Sequence, residues 1–143
     1  MSFLKGKTAI ITGGGRATLT DGSCGSIGYG IATAYAKEGA NLVITGRNMQ
    51  KLLDAKEELE RLYGIRVLPL QADVSKEADN EAVTKHVVKE AIKEFGHIDV
   101  LINNAQASAS GVTIADHTTE QFDLAVYSGL YAAFYYMKAC YPY

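Results

Sequence analysis

Residues 8–32, TAIITGGGRATLTDGSCGSIGYGIA, decide the predicted fold. The segment starts with a short run of branched apolar residues, which is typical of a buried parallel strand. A cluster of glycines follows, and a stretch with helical spacing begins near Ser26. Between the glycines and this helix lies a polar excursion, Arg16–Cys24, with Asp21-Gly22 as the expected turn at its tip.

The same alternation of apolar run and helical stretch continues along the chain. The predicted strands are Thr8–Thr12, Asn41–Thr45, Arg66–Gln71 and Ile98–Asn103. The predicted helices are Ile27–Gly39, Met49–Tyr63, Glu77–Phe95 and Thr119–Tyr141, the last with Thr118 or Thr119 as its cap. Strands that alternate with helices predict an α/β fold, with a doubly wound parallel sheet in one domain over residues 1–143.

The overall composition excludes several classes of function. The chain has 143 residues, with 48% hydrophobic and 21% charged residues and a net charge of −2. It therefore lacks the basic field that recruits nucleic acid or an anionic membrane. No apolar run is long enough for a signal peptide or a membrane span, and two distant cysteines suit a reducing compartment, so a cytoplasmic protein is expected. The cysteines and the three histidines lack metal-ligand spacing, and no metal site is expected.

The glycine-rich turn between the first strand and the first helix suits a diphosphate. A helix N-terminus presents free N–H groups to an anion, and glycines let the backbone approach it closely. Such a turn also serves as an ordinary connection, but its place after the first strand of a βαβ pattern favours a nucleotide. The residues predicted to hold the diphosphate are Gly13, Gly14, Gly15, Ser26, Ile27 and Gly28.

This segment resembles the opening pattern TGxxxGxG of the short-chain dehydrogenase/reductase family, and the resemblance covers the whole chain. Thr12-Gly13 match the pattern, whereas the final glycine, Gly28, comes fifteen positions after Gly13 rather than six. Ser26 stands in place of the middle glycine. The resemblance implies a Rossmann-type sheet with strand order 3-2-1-4, the N-terminal half of a fold that ends here before strands 5–7.

Two further motifs extend the resemblance. Asp73-Val74 follows the third strand and resembles the family's pair beside the adenine. Asn103-Asn104-Ala105 resembles the NNAG motif, with Gln106 in place of its glycine. The resemblance implies that Asn104, Ala105 and Gln106 line the adenosine ribose and the approach to the nicotinamide.

The end of the second strand bears on the choice of cofactor. A carboxylate there would bind the ribose hydroxyls of NAD and repel a 2′-phosphate. The chain has Thr45-Gly46-Arg47-Asn48 instead, and a guanidinium can pair with a phosphate through its planar fork. NADP is therefore the expected cofactor, with NAD as the alternative. Arg47 is the first candidate for the 2′-phosphate and Arg16 the second.

The catalytic residues that the resemblance implies are a serine, a tyrosine and a lysine four positions after the tyrosine. No tyrosine of this chain has a lysine at that spacing, and the family's asparagine position falls on Gly129. The catalytic serine, tyrosine and lysine are therefore expected beyond Tyr143. The chain is interpreted as the cofactor part of a domain of roughly 250 residues. The alternative is a complete half-domain that binds nucleotide without turnover.

The implied activity is reduction of a ketone or oxidation of a secondary alcohol, on a 3-oxoacyl thioester or a hydroxysteroid-like substrate. Two alternatives stay open: an enoyl-thioester reductase, because of the serine in the loop, and an inert nucleotide-binding or interaction module. The tyrosine-rich segment Thr119–Tyr141 is expected to pack against a second subunit in a homodimer or homotetramer, since aromatic residues are frequent at interfaces.

Overall fold

The computed structural model describes residues 2–143 and confirms the predicted alternation of strands and helices. The strands are β1 (Thr8–Thr12), β2 (Asn41–Gly46), β3 (Val67–Gln71) and β4 (Val100–Ile102). The first three helices are α1 (Ile27–Lys37), α2 (Met49–Tyr63) and α3 (Glu77–Phe95). A 3₁₀ turn (Ile114–Asp116) precedes the C-terminal helical segment, which comprises α4 (Thr119–Ala125), a π-turn (Val126–Tyr131) and α5 (Ala132–Cys140).

The four strands form one parallel sheet in the predicted order β3-β2-β1-β4. Side chains of a strand alternate between the two faces of a sheet. Ala9 and Ile11 accordingly pack on one face against residues of α1 and α2, whereas Ile10 packs on the other face with residues of α3 and α5. Helices therefore cover both faces, and the carboxyl ends of the strands form the edge at which ligands bind in such folds.

The C-terminal helical segment differs from the single helix predicted over Thr119–Tyr141. Thr118 caps it with a reciprocal capping box to Gln121, but the π-turn interrupts it at Val126–Tyr131. The side-chain amide of the buried Asn80 donates to the Tyr127 carbonyl at 2.7 Å, so α3 supplies a partner at this interruption. β4 is also shorter than the predicted Ile98–Asn103. Within residues 2–143, no helix is long and apolar enough to cross a bilayer.

The buried Thr12 hydroxyl joins the end of β1 to the loop after β4. It accepts hydrogen bonds from the backbone N–H groups of Asn104 (3.0 Å) and Ala105 (2.9 Å), and it donates to the Ile102 carbonyl at 3.3 Å. The Asn104 side-chain amide donates in return to the Thr12 carbonyl at 2.9 Å. Side chains therefore hold the short β4 to the centre of the sheet, in addition to its backbone hydrogen bonds with β1.

Replacing Thr12 by valine keeps the shape of the side chain but removes the acceptor of two backbone N–H groups. Because an unsatisfied buried donor costs about 1–3 kcal/mol, we expect T12V to lower the free energy of unfolding by about 2 kcal/mol or more. T12S keeps the hydroxyl and is expected to lose about 1 kcal/mol for the missing methyl group. Urea denaturation measures both values, and a valine variant as stable as the serine variant would contradict this role of Thr12.

Candidate functional site

A cleft of about 240 Å³ lies at the carboxyl ends of the strands. The connection after β1 leads to β2 on one side, whereas β4 lies on the other side of β1, so the cleft sits where the strand order reverses. Ligands of open α/β sheets bind at such a switch point. The lining residues are Gly13, Thr45, Gly46, Arg47, Ala72, Val74, Ser75, Asn104, Ala105, Gln106, Ala107 and Ser128.

The glycines of the first loop bring the start of α1 close to the end of β1. Gly13 adopts φ +71°, and a Cβ there would lie 2.9 Å from the Asn104 side-chain amide. A Cβ on Gly28 would overlap the Gly13 carbonyl oxygen. Ser26 caps α1, its hydroxyl accepting from the Tyr29 N–H at 3.4 Å. The loop thus packs tightly although its two ends are fifteen positions apart in sequence.

The excursion Arg16–Cys24 folds as a small hairpin, with the predicted turn at its tip. Thr18 and Cys24 form an antiparallel bridge, and the Gly22 N–H donates to the Leu19 carbonyl at 3.0 Å. The Asp21 carboxylate accepts from the N–H and the hydroxyl of Ser23, at 2.9 and 2.6 Å. These local hydrogen bonds lower the pKa of Asp21.

Arg16 anchors the root of this hairpin to α2. Its Nε donates to the Glu58 carboxylate at 2.7 Å, and the Tyr29 hydroxyl donates to the same carboxylate oxygen. The hydrogen bond from Tyr29 lowers the pKa of Glu58, and the hydrogen bond and charge of Arg16 lower it further. Burial raises the pKa of the Tyr29 hydroxyl. The Arg16 guanidinium does not line the cleft. The role of Arg16 at a 2′-phosphate stays a prediction.

Arg47 is the one charged residue that lines the cleft within residues 2–143. It follows β2 and is exposed, and its carbonyl accepts from the side-chain amide of Gln71 at 2.8 Å. Asp73 lies nearby but outside the lining, and its carboxylate accepts from the Ser75 N–H at 3.0 Å. The Ser75 hydrogen bonds and, to a smaller extent, the charge of Arg47 lower the pKa of Asp73. One end of the cleft is therefore positively charged and free of carboxylates in its lining.

The structure brings about half of the predicted site residues together in this cleft. Gly13, Arg47, Val74, Asn104, Ala105 and Gln106 line it, whereas Gly14, Gly15, Arg16, Ser26, Ile27, Gly28 and Asp73 lie outside the lining. A Cβ on Gly14 would lie 2.9 Å from the Ile44 side chain and one on Gly15 3.2 Å from the Lys51 side chain, so the loop lies close to β2 and α2 at these glycines. Six lining residues were not predicted from the sequence: Thr45, Gly46, Ala72 and Ser75, which neighbour predicted ones, and Ala107 and Ser128. The pair Ser128-Gly129, two poor helix formers inside a helical stretch, was the available signal.

No group of three or more histidine, cysteine, aspartate or glutamate side chains within residues 2–143 is arranged to hold a metal ion. His97 instead contacts the Gly6 carbonyl at 3.0 Å and the Asp99 carboxylate at 3.3 Å. Both cysteines are free thiols. The chemistry of the cleft is therefore that of backbone amides, hydroxyls, carboxamides and one guanidinium.

Comparison with known proteins identifies the family. The family model for short chain dehydrogenases matches residues 7–143, and the chain belongs to this family. A 12alpha-hydroxysteroid dehydrogenase from a Clostridium species is 65% identical over 143 residues, which cover 100% of this chain and 52% of that protein. Human hydroxysteroid dehydrogenase-like protein 2 is 38% identical, over 98% of this chain and 32% of its own length.

Solved structures show the same fold with nucleotides bound. L-sorbose reductase from Gluconobacter frateurii, complexed with NADPH and L-sorbose, superposes with a TM-score of 0.82 at 29% identity. It is matched over 97% of this chain and 48% of its own. An alcohol dehydrogenase from Thermococcus sibiricus, complexed with 5-hydroxy-NADP, gives 0.80 at 26% identity, over 95% of this chain and 52% of its own. This chain thus spans about half the length, or less, of these relatives.

The lowered pKa of Glu58 predicts a pH-dependent contribution to stability. The ionised carboxylate stabilises the folded state, so its contribution is complete above the unfolded-state pKa near 4.5 and is lost as the pH falls through the lower folded-state value. We expect E58Q to be less stable than the native chain at pH 7, with a difference that shrinks below about pH 4.5.

Urea denaturation at pH 7 and at pH 3.5 measures this difference. E57Q, a change at the exposed neighbouring position, serves as the matched control and should leave the midpoint at pH 7 nearly unaltered. If E58Q loses the same amount of stability at the two pH values, the ionised form of the Glu58 carboxylate is not what stabilises the folded state.

Proposed function

We propose that this chain is the cofactor-binding part of an NADP-dependent oxidoreductase, which reduces a ketone or oxidises a secondary alcohol. One observation carries the choice of NADP: the single charged residue in the lining of the cleft is Arg47, with no carboxylate beside it in that lining among residues 2–143. A carboxylate at the end of β2 is what NAD-binding sites use to bind the ribose hydroxyls.

The adenosine end of the cofactor lies, in this proposal, between the ends of β2 and β3. The 2′-phosphate pairs with the Arg47 guanidinium, which presents several N–H donors in one plane. Val74 is buried and lines the cleft, so it offers an apolar surface to the adenine, with Asp73 at its edge. The structures of relatives with bound NADPH and 5-hydroxy-NADP support a nicotinamide dinucleotide as the ligand.

The diphosphate then lies over the first loop, against the N-terminus of α1. The first N–H groups of a helix have no acceptor within the helix and attract an anion. The close packing of Gly28 on Gly13 brings this N-terminus to the end of β1, beside the cleft. Asn104 and Ala105 continue the lining toward the nicotinamide.

The proposed substrate is a small molecule with a secondary hydroxyl or keto group, of the hydroxysteroid type. The 65% identity to a 12alpha-hydroxysteroid dehydrogenase supports this class above a 3-oxoacyl thioester. The catalytic serine, tyrosine and lysine of the family belong, in this proposal, to sequence beyond Tyr143. The exposed apolar side chains of the C-terminal helical segment, among them Leu130, Phe134 and Met137, would pack against a second copy of the protein.

Reversing the charge at position 47 tests the cofactor assignment. R47D removes the guanidinium and places a carboxylate at the end of β2, so NADPH should bind about 10- to 100-fold more weakly, as expected for loss of a charge-assisted hydrogen bond. NADH should bind as well as or better than before. Titration of the nucleotide fluorescence with each protein gives the four dissociation constants.

R61D is the matched control, because it makes the same change of charge on the exposed surface of α2, where Arg61 lies near Arg16 and Glu58 and away from the cleft. It should leave the ratio of NADPH to NADH affinity within about twofold of the native ratio. The assignment of Arg47 is wrong if R47D and R61D give the same ratio.

A further inference from the structure

A single carboxylate on α2 joins the two ends of the enlarged first loop, residues 13–28. The Arg16 side chain, at the point where the hairpin begins, donates from Nε to a Glu58 carboxylate oxygen at 2.7 Å. The Tyr29 hydroxyl, in the first turn of α1, donates to the same oxygen. Glu58 therefore bridges the residue at which the hairpin begins and a residue that follows its end.

The bridge is better shielded from water than an ordinary surface ion pair. The side chains of Arg16 and Glu58 are 28% and 29% exposed, and Tyr29 is buried. The Arg16 guanidinium also lies 5.9 Å from the centroid of the Tyr29 ring, within the range of a cation–π contact. Hydrogen bonds to a charged group are stronger than those between neutral groups. The three side chains thus form a cluster that resists separation of the two loop ends.

Both arms of the bridge continue into the backbone beside the proposed position of the diphosphate. The Arg16 N–H, directly after Gly15, donates to the Lys51 carbonyl at 2.9 Å. The Tyr29 N–H donates to the Ser26 hydroxyl at 3.4 Å, so Tyr29 takes part in the cap that opens α1. A longer loop has more conformations to lose when it becomes ordered. A contact that fixes both ends therefore removes more disorder in this chain than in a loop of the family's length.

We propose that Glu58 is a positioning residue of the cofactor site, which holds the ends of the enlarged loop at the spacing that a diphosphate requires. The proposal rests on the proposed function for the identity of the ligand. Glu58 lies outside the lining of the cleft and acts through Arg16 and Tyr29. The positive charge of Arg16 offsets the charge of the carboxylate, so the bridge adds no net repulsion to a bound diphosphate. Arg16 then serves the loop rather than the 2′-phosphate.

Comparing a ligand that has the diphosphate with one that lacks it tests this role. E58A should weaken NADPH binding about fivefold to twentyfold, the effect of losing hydrogen bonds to a charged group. Adenosine 2′-monophosphate keeps the 2′-phosphate and has no diphosphate, so its affinity should stay within about twofold of the native value. Calorimetric titration measures both ligands. E57A, at the exposed neighbouring position, is the matched control and should alter neither affinity.

A second variant separates loss of the bridge from loss of the fold. Unaltered binding of adenosine 2′-monophosphate shows that a variant is folded. Where E58A does not fold, E58Q takes its place, because glutamine keeps the shape of the side chain and loses only the charge. E58Q should weaken NADPH binding about threefold, again with no effect on adenosine 2′-monophosphate.

Two combinations test whether the bridge, rather than Glu58 alone, carries the effect. R16A/E58A should bind NADPH about as weakly as E58A does, because each single change already breaks the connection. Deletion of residues 16–24 brings Gly28 to six positions after Gly13, the spacing of the family pattern. In that shortened chain, E58A should change the NADPH affinity less than twofold, because no insertion remains to be bridged.

The possible failures are distinguishable. If the native chain binds neither NADPH nor adenosine 2′-monophosphate, the proposed function fails. If it binds both and E58A weakens neither or both equally, the proposed function stands and the role of Glu58 is overturned. Losses of R16A and E58A that multiply in the double variant, or a loss that persists in the shortened chain, would also overturn it. If R16A weakens both ligands equally, Arg16 binds the 2′-phosphate and the bridge is not its role.

Discussion

The hydrogen bonds of the Thr12 hydroxyl hold the two strands between which the candidate site opens. β1 and β4 are neighbours in the sheet but far apart in sequence, and β4 is only three residues long. A ladder this short leaves the following loop free to drift unless side chains fix it. Thr12 and Asn104 bond each other's backbone at this point, so Gly13 and Ala105 lie side by side in the lining of the cleft.

The insertion in the glycine-rich loop leaves this junction undisturbed because the extra residues fold outward on their own contacts. Closing a longer loop costs little additional entropy, since the cost grows only with the logarithm of its length. The hairpin satisfies its own backbone through the Thr18–Cys24 bridge, and Arg16 bonds Glu58 on the outer side of α2. The charge of Arg16 is thereby engaged away from the cleft, which leaves Arg47 as the one charged residue in the cleft lining within residues 2–143.

The sequence predicted most element bounds correctly, because apolar periodicity and the positions of glycines are local signals. The strand order, also correct, followed from the resemblance to the short-chain dehydrogenase/reductase family. It placed the candidate site through motifs, and Gly13, Arg47 and Asn104 indeed line one cleft. The interruption of the C-terminal helix could not be predicted, since it involves Asn80, which contacts Tyr127 from 47 residues away.

The contacts of Arg16 and Gln106 could not be predicted for the same reason, because their partners are distant in sequence. Arg16 meets a carboxylate 42 positions along the chain, and Gln106 meets a glycine of the last helical segment. The residue type suggested a phosphate ligand for Arg16, and the family resemblance suggested a place beside the cofactor for Gln106. Tertiary contacts give these residues different surroundings, which only the folded chain reveals.

A titration of the ¹⁵N-labelled chain with NADPH, followed by amide NMR shifts, tests most directly whether the cleft binds a dinucleotide along its full width. The expected result is that signals move at both ends, at Gly46 and Arg47 and at Ala105 and Gln106, whereas 2′,5′-ADP moves only the first pair. Saturating NADPH that shifts no cleft signal, or only signals on a remote surface such as that around Gly96, would contradict this placement of the cofactor.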